Sequence, residues 1–231
     1  MMVKENLAGV EARIRAACKR CGRDEDSVTL ISVSKTKPVR LIEEAYEYGK
    51  RDFGENKAQE MKQKYEVLPD DIRWHFIGHL QTNKIKYVVG HACLIHSVDS
   101  LHLAQGIEAE SAKRDLVTHI LLEVNVAGEK SKFGVTPEYV FELAEKISKF
   151  PHVRIDGLMT VAPYVSDADK NRPVFRRLNT LSVDIAGKNI DNVSMDILSM
   201  GMTGDYEAAI EEGATHIRVG TGIFGERDYN I

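Results

Sequence analysis

Cysteine is scarce in this 231-residue chain. Cys18, Cys21 and Cys93 cannot build a disulfide framework and fit a reducing compartment. The spacing in "CKRC" is that of a redox motif, but no strand leads into it and Gly22 stops the helix behind it, so it reads as an accidental pair. No apolar run approaches the roughly 20 residues of a membrane span. The N-terminus, "MMVKENLAGVEARIRAACKRC", has no signal-type apolar core and sets charge against apolar groups at helical spacing, which leads to a cytoplasmic expectation. There is no basic block and no acidic tail, and the net charge is −4, so neither nucleic acid nor membrane is an expected partner. The eight histidines and three cysteines show no ligand spacing, and no metal site is expected. No linker and no low-complexity stretch divides the chain, and residues 1–231 are expected to form one domain.

What the chain does have is a rhythm. Short β-rich runs, "VTLISVS", "RDFGEN", "RWHFIGH", "CLIHSVD", "VTHILLEVNVA", "VRIDGLMTVA", "VSMDILSMGM" and "THIRVGT", alternate with amphipathic helical stretches. Eight such repeats predict an α/β fold, a closed (β/α)8 TIM-type barrel with an extra N-terminal helix that would cover the barrel bottom. An open doubly wound sheet is the alternative.

In such barrels the chemistry lies on loops after the C-terminal strand ends. The groups there are Lys35 and Lys37, then Gly54-Glu55-Asn56, Gly78-His79, Glu129 to Lys132, Met159-Thr160, Ser199 to Met202, and Arg218 to Gly222. The turns after strands seven and eight are rich in glycine and hydroxyls ("LSMGMTGDYEAAI", "RVGTGIFGE"), and they predict a phosphate cup. Lys35 shares a strand face with Ile31 and Val33, so an interior-facing strand would send its amine into the mouth. Desolvation, with Lys37 as a neighbouring cation, would favour the neutral amine that forms a Schiff base. Imine-forming lysine and phosphate cup together point to a phosphorylated aldehyde. Trp74 and Phe76 read as strand packing, His96 as a core histidine, and Glu129 and Lys132 either as closing the mouth or as a surface ion pair.

"VSKTKP", "FGEN", "WHFIGHLQ", "GEKSKFG", "GLMT", "LSMGM" and "IRVGTGIFG" together resemble the pyridoxal-phosphate homeostasis protein family, whose relatives share the alanine racemase N-terminal barrel. The resemblance spans essentially the whole chain. It implies pyridoxal 5′-phosphate (PLP) as cofactor, held as an internal aldimine on Lys35. By the same resemblance Ser199, Gly201, Gly220 and Thr221 surround the phosphate, and Asn56, His79, Met159, Met200 and Met202 line the pocket. Arg218 would face the pyridine nitrogen; a guanidinium only donates, so the ring would stay unprotonated and a weaker electron sink.

Three functions follow for comparison. The resemblance implies a non-enzymatic protein that buffers PLP or delivers it, with PLP-requiring apo-enzymes as partners. A racemase-like PLP enzyme needs a second acid/base group, for which Tyr164 and Tyr206 are unsupported candidates. A Schiff-base aldolase lacks an acid/base partner near Lys35. Racemase relatives carry a second, β-rich domain, and a chain ending at Ile231 leads to the expectation of a monomer without it.

Overall fold

The structure is a computed structural model and describes residues 3–129 and 131–226. Eight parallel strands close on themselves in chain order: β1 (Thr29–Val33), β2 (Asp52–Glu55), β3 (Arg73–Phe76), β4 (Ala92–Val98), β5 (Thr118–Glu123), β6 (Val153–Met159), β7 (Val193–Met202) and β8 (His216–Val219). β8 returns to β1 with Ile31 opposite Arg218, so the sheet is a barrel and not open. Helices α1 (Val3–Cys21), α2 (Val39–Glu47), α3 (Ala58–Tyr65), α4 (Leu101–Lys113), α5 (Val140–Ile147), α6 (Arg172–Ala186), α7 (Tyr206–Glu211) and α8 (Thr221–Phe224) complete the repeats. Among the described residues no helix is long and apolar enough to cross a membrane.

Strand alternation sorts the side chains into two sets. Outward residues such as Phe53, Trp74, Phe76, Ile95 and Ile120 join the helices in one continuous apolar layer. α6 shows how a helix meets it: Phe175, Leu178, Leu181 and Ile185 recur at three- and four-residue spacing and are all buried. Inward residues include Ile31, Val33, His75, His96, Ser199 and Arg218, with Leu94, Leu121 and Met159 in a separate small apolar cluster.

The N-terminal helix corrects an expectation. α1 lies in the outer layer, not across the barrel bottom. Its stripe of Val3, Leu7, Val10, Ile14 and Ala17 packs beside α2, α7 and α8, and Asn6 Nδ2 donates to Ile223 O at 2.8 Å. The reason is length: α8 has four residues and cannot cover its share of the sheet, so α1 covers the β8–β1 side.

Candidate functional site

A cavity of about 800 Å³ opens at the C-terminal ends of the strands, with Lys35, Asn56, Met202, Thr203, Arg218, Gly220 and Thr221 in its wall. Lys35 reaches it because Ile31 and Val33 face inward and the next residue of that parity is Lys35. The turn that carries it is held atom by atom. Thr36 adopts a left-handed φ of 62°, and its N–H donates to Glu60 Oε1 at 2.5 Å. Ser34 Oγ donates to buried Glu55 at 2.6 Å, while Lys64 Nζ donates to Ser34 O at 2.8 Å and to Glu55 and Glu60 at 2.7 Å each. Burial pushes the Glu55 carboxyl up, against the pull of Lys64 and Ser34. Lys37 is tied down, its amine donating to the carbonyls of Phe224, Gly225 and Glu226 at 3.1, 2.9 and 2.6 Å.

Across the cavity, the turns after β7 and β8 meet. Thr203 Oγ1 accepts from the Gly220 and Gly222 amides, both at a long 3.4 Å, which gathers a hydroxyl and two N–H groups at one place. Thr221 and Gly204 stand beside them in the wall. Thr203 is the residue that sequence reading missed; its signal was a hydroxyl immediately after the strand, in "MGMTG".

Ser199 is a correction. Its hydroxyl is fully buried inside the barrel, accepting from Arg218 NH1 at 2.6 Å and lying 2.8 Å from His96 Nδ1, so it is not in the anion cup. Ser199 pairs with His216, the first residue of β8, deep in the barrel, and Gly201 follows it nearer the rim. The Gly201 φ of 90° interrupts the alternation of β7, and a Cβ there would meet Ala209 Cβ at 2.6 Å. Met200 therefore points outward into the helix layer while Met202 lines the cavity. Met159 sits outside the cavity wall, in the interior cluster with Leu94 and Leu121, and Val161, which packs on that cluster, lines the cavity. His79 is exposed and stacked on Phe133 at 4.0 Å, outside the cavity wall. Lys132 forms an ion pair with Glu129 and donates to Val161 O at 3.4 Å, tying that loop to the cavity rim. Tyr164 is 99% exposed at the rim, and Tyr206 packs outward in the apolar layer, its hydroxyl bonded to Arg13.

Arg218 forms the cavity floor. NH2 donates to Thr160 O at 2.8 Å, which with the Ser199 bond fixes one edge of the guanidinium. Burial lowers it to about 10, with Glu123 and Asp205 opposing, so it is charged at neutral pH. Asn56 Oδ1, in the wall, is buried with no hydrogen-bond partner among the described residues. An amine, a clustered anion cradle and a buried guanidinium around one volume suit a planar phosphorylated carbonyl compound, and the orphaned Asn56 oxygen leaves an acceptor for its hydroxyl.

Comparison with known proteins agrees with this chemistry. The alanine racemase N-terminal domain family matches residues 6–228. The pyridoxal phosphate homeostasis protein of Aquifex aeolicus (strain VF5) is 47% identical over 226 residues, covering 97% of this chain and 98% of that one. PipY of Synechococcus elongatus PCC7942, solved with PLP bound, superposes with a TM-score of 0.83 at 34% identity, over 96% of this chain and 100% of its own. Alanine racemase from Clostridium difficile 630 shares the fold, with a TM-score of 0.76 at 13% identity over 99% of this chain and 57% of that enzyme.

Proposed function

The chain belongs to the family of pyridoxal phosphate homeostasis proteins, on the alanine racemase N-terminal barrel, and from that premise we propose that it binds PLP and serves its intracellular homeostasis, buffering or delivering the cofactor without turning over a substrate. The observation that carries the reading is the meeting of Lys35, Arg218 and the Thr203–Gly220–Gly222 cradle in one cavity.

PLP supplies an aldehyde that condenses reversibly with an amine, and a conjugated ring able to take up electrons. Lys35 offers the amine on a turn fixed by Glu55, Glu60 and Lys64. Thr203, Thr221 and the glycine amides bind the phosphate, and Asn56 offers an acceptor to the ring hydroxyl. Arg218 can donate to the ring nitrogen but does not give up its proton to it, because a guanidinium is a far weaker acid than a pyridinium. Deprotonation of a bound amino acid is thereby disfavoured. Two other ionisable groups of the wall are engaged elsewhere: Asp205 accepts from Met202 N and Asn171 Nδ2 at 2.7 Å each, and Lys37 holds three carbonyls.

Titration with PLP is expected to give one visible chromophore per chain, with pyridoxal lacking the phosphate binding poorly. Pyridoxal binding as tightly as PLP removes the phosphate cradle from the reading. Incubation with L-alanine in deuterated water is expected to show negligible α-proton exchange by NMR; exchange at an ordinary enzymatic rate, roughly 1–10³ per second, reverses the non-enzymatic assignment. Stopped-flow transfer to a PLP-requiring apo-enzyme, with a trap for free PLP, separates delivery from passive storage.

A further inference from the structure

Inside the barrel, below Arg218, hydrogen bonds run unbroken toward the opposite end of the fold. Ser199 Oγ accepts from Arg218 NH1 at 2.6 Å and lies 2.8 Å from His96 Nδ1. His96 Nε2 lies 3.0 Å from His75 Nδ1, and His75 Nε2 lies 3.1 Å from Asp52 Oδ1. Asp52 opens β2, and Arg73, which opens β3, donates to both of its oxygens. Both residues line a second, polar cavity of about 410 Å³ at the N-terminal end of the barrel. The chain of contacts therefore spans the barrel from one mouth to the other, through side chains that are almost entirely buried.

The ends fix its direction. A guanidinium can only donate and a carboxylate can only accept. Ser199 Oγ already accepts from Arg218, so its own proton goes to the nearest acceptor, His96 Nδ1. That places the His96 proton on Nε2, directed at His75 Nδ1, and the His75 proton on Nε2, directed at Asp52. Every bond then has one donor and one acceptor, all in the same sense. Burial, with the Arg218 charge nearby, independently holds His96 in the neutral form, well below the ordinary imidazole value.

We propose that Asp52, His75, His96 and Ser199 form a one-way hydrogen-bonded column that holds Arg218 in the orientation it needs at the cavity, which makes Asp52, His75 and His96 positioning residues for the cofactor site. The functional weight of this orientation rests on the reading of the cavity as a PLP site. The column itself does not. A bonded series of this kind polarises along its length, so a change at Asp52 is felt at Arg218 although the two share no contact.

The test starts on protein without PLP, carrying ¹⁵N-histidine and ¹⁵N-arginine. In the wild type the proton of His96 and that of neutral His75 are both expected on Nε2, and the Arg218 guanidinium is expected to rotate slowly enough to show distinct NH signals. Ser199→Ala, which removes the acceptor, is expected to speed Arg218 exchange by about tenfold to a hundredfold, the range for one charge-assisted hydrogen bond. Asp52→Asn is expected to scramble the His75 tautomer and speed Arg218 exchange by a smaller factor, and Asp52→Glu to restore both. A proton on His96 Nδ1, a neutral His75 protonated on Nδ1, or Arg218 exchange indifferent to Asp52→Asn overturns the column. This arm needs no cofactor, so a failure of the cavity reading shows separately, as wild-type protein that takes up no PLP. With PLP bound, the ring-nitrogen ¹⁵N shift is expected to move in Asp52→Asn and return in Asp52→Glu; a shift that stays put in both removes the cofactor site from the column's reach.

Discussion

Between strands and helices, Phe53, Phe76, Ile95, Ile120 and Phe175 pack into one continuous apolar layer, whereas within the barrel only Leu94, Leu121 and Met159 close into a small apolar group beside His75, His96, His216, Ser199 and Arg218. Both regions are largely buried, so burial alone does not say what a region is for. The outer layer gains stability from every apolar group removed from water. The inner one spends part of that gain on polar groups whose desolvation is offset only while each bond stays made. A barrel that keeps such an interior is holding it for the cavity above.

The largest break in this comparison is Lys35→Ala. Borohydride reduction of the PLP-loaded protein, followed by peptide mapping, is expected to put the phosphopyridoxyl label on Lys35, and the substitution to abolish it while the cradle still holds some PLP non-covalently. Label on Lys37 or Lys132 instead would remove Lys35 from its role.

In the outer layer, Phe175→Ala is expected to cost about 3–5 kcal/mol of unfolding free energy through transfer and cavity terms. Fully buried Phe175 packs in the helix layer and is not in the cavity wall, so the absorption maximum of PLP bound to the remaining folded protein is expected to stay where it was. Urea melts with spectra on the same samples check both halves; a moved maximum would mean that the layers are coupled.

Charge titration should belong to the inner layer. Burial raises Glu123 from 4.5 to about 7, with Asp99 adding to it and Arg218 opposing. A carboxyl raised on folding stabilises fully below its unfolded value, and the contribution is lost as pH climbs from 4.5 to 7. Glu123→Gln is therefore expected to leave stability unchanged at pH 4 and to raise it at pH 8, by at most roughly 3 kcal/mol at about 1.4 kcal/mol per pH unit. His216, lowered by burial from 6.5 to about 4, has the opposite sense and loses its contribution as pH falls through that range. Unfolding curves from pH 4 to 8 that overlay for wild type and Glu123→Gln would contradict this.

The smallest effect sharpens the boundary between the cup and the interior. Thr203→Val removes a hydroxyl from the cradle at little cost in stability and is expected to weaken PLP binding by roughly tenfold to a hundredfold, for about 1.5–3 kcal/mol per bond to a charged acceptor. Competition with pyridoxal, which lacks the phosphate, should show no such loss.

Much of this was legible in one dimension. Eight period-two runs alternating with period-3.6 stretches determine a parallel sheet covered by helices, because each pattern can bury its apolar side in only one way. The same alternation carries Lys35 to the mouth, two residues past Val33 on the inward face, and the turns after strands seven and eight carry hydroxyls and glycines to the rim. Local rules failed where the backbone breaks them. Gly201 at φ 90° breaks the alternation of β7 and divides Met200 from Met202, while Ser199, paired with the first residue of β8, lies too deep to join Thr203 in the cavity wall. α1 reads as an amphipathic helix wherever it docks; its place beside α8 was decided by the space that a four-residue helix leaves. The interior column was beyond sequence reading altogether, because its side-chain contacts join residues 19 to 103 positions apart. Only closure of the barrel brings Asp52, His75, His96, Ser199 and Arg218 onto one axis, and a hydrogen bond depends on distance and direction that no pattern along the chain encodes.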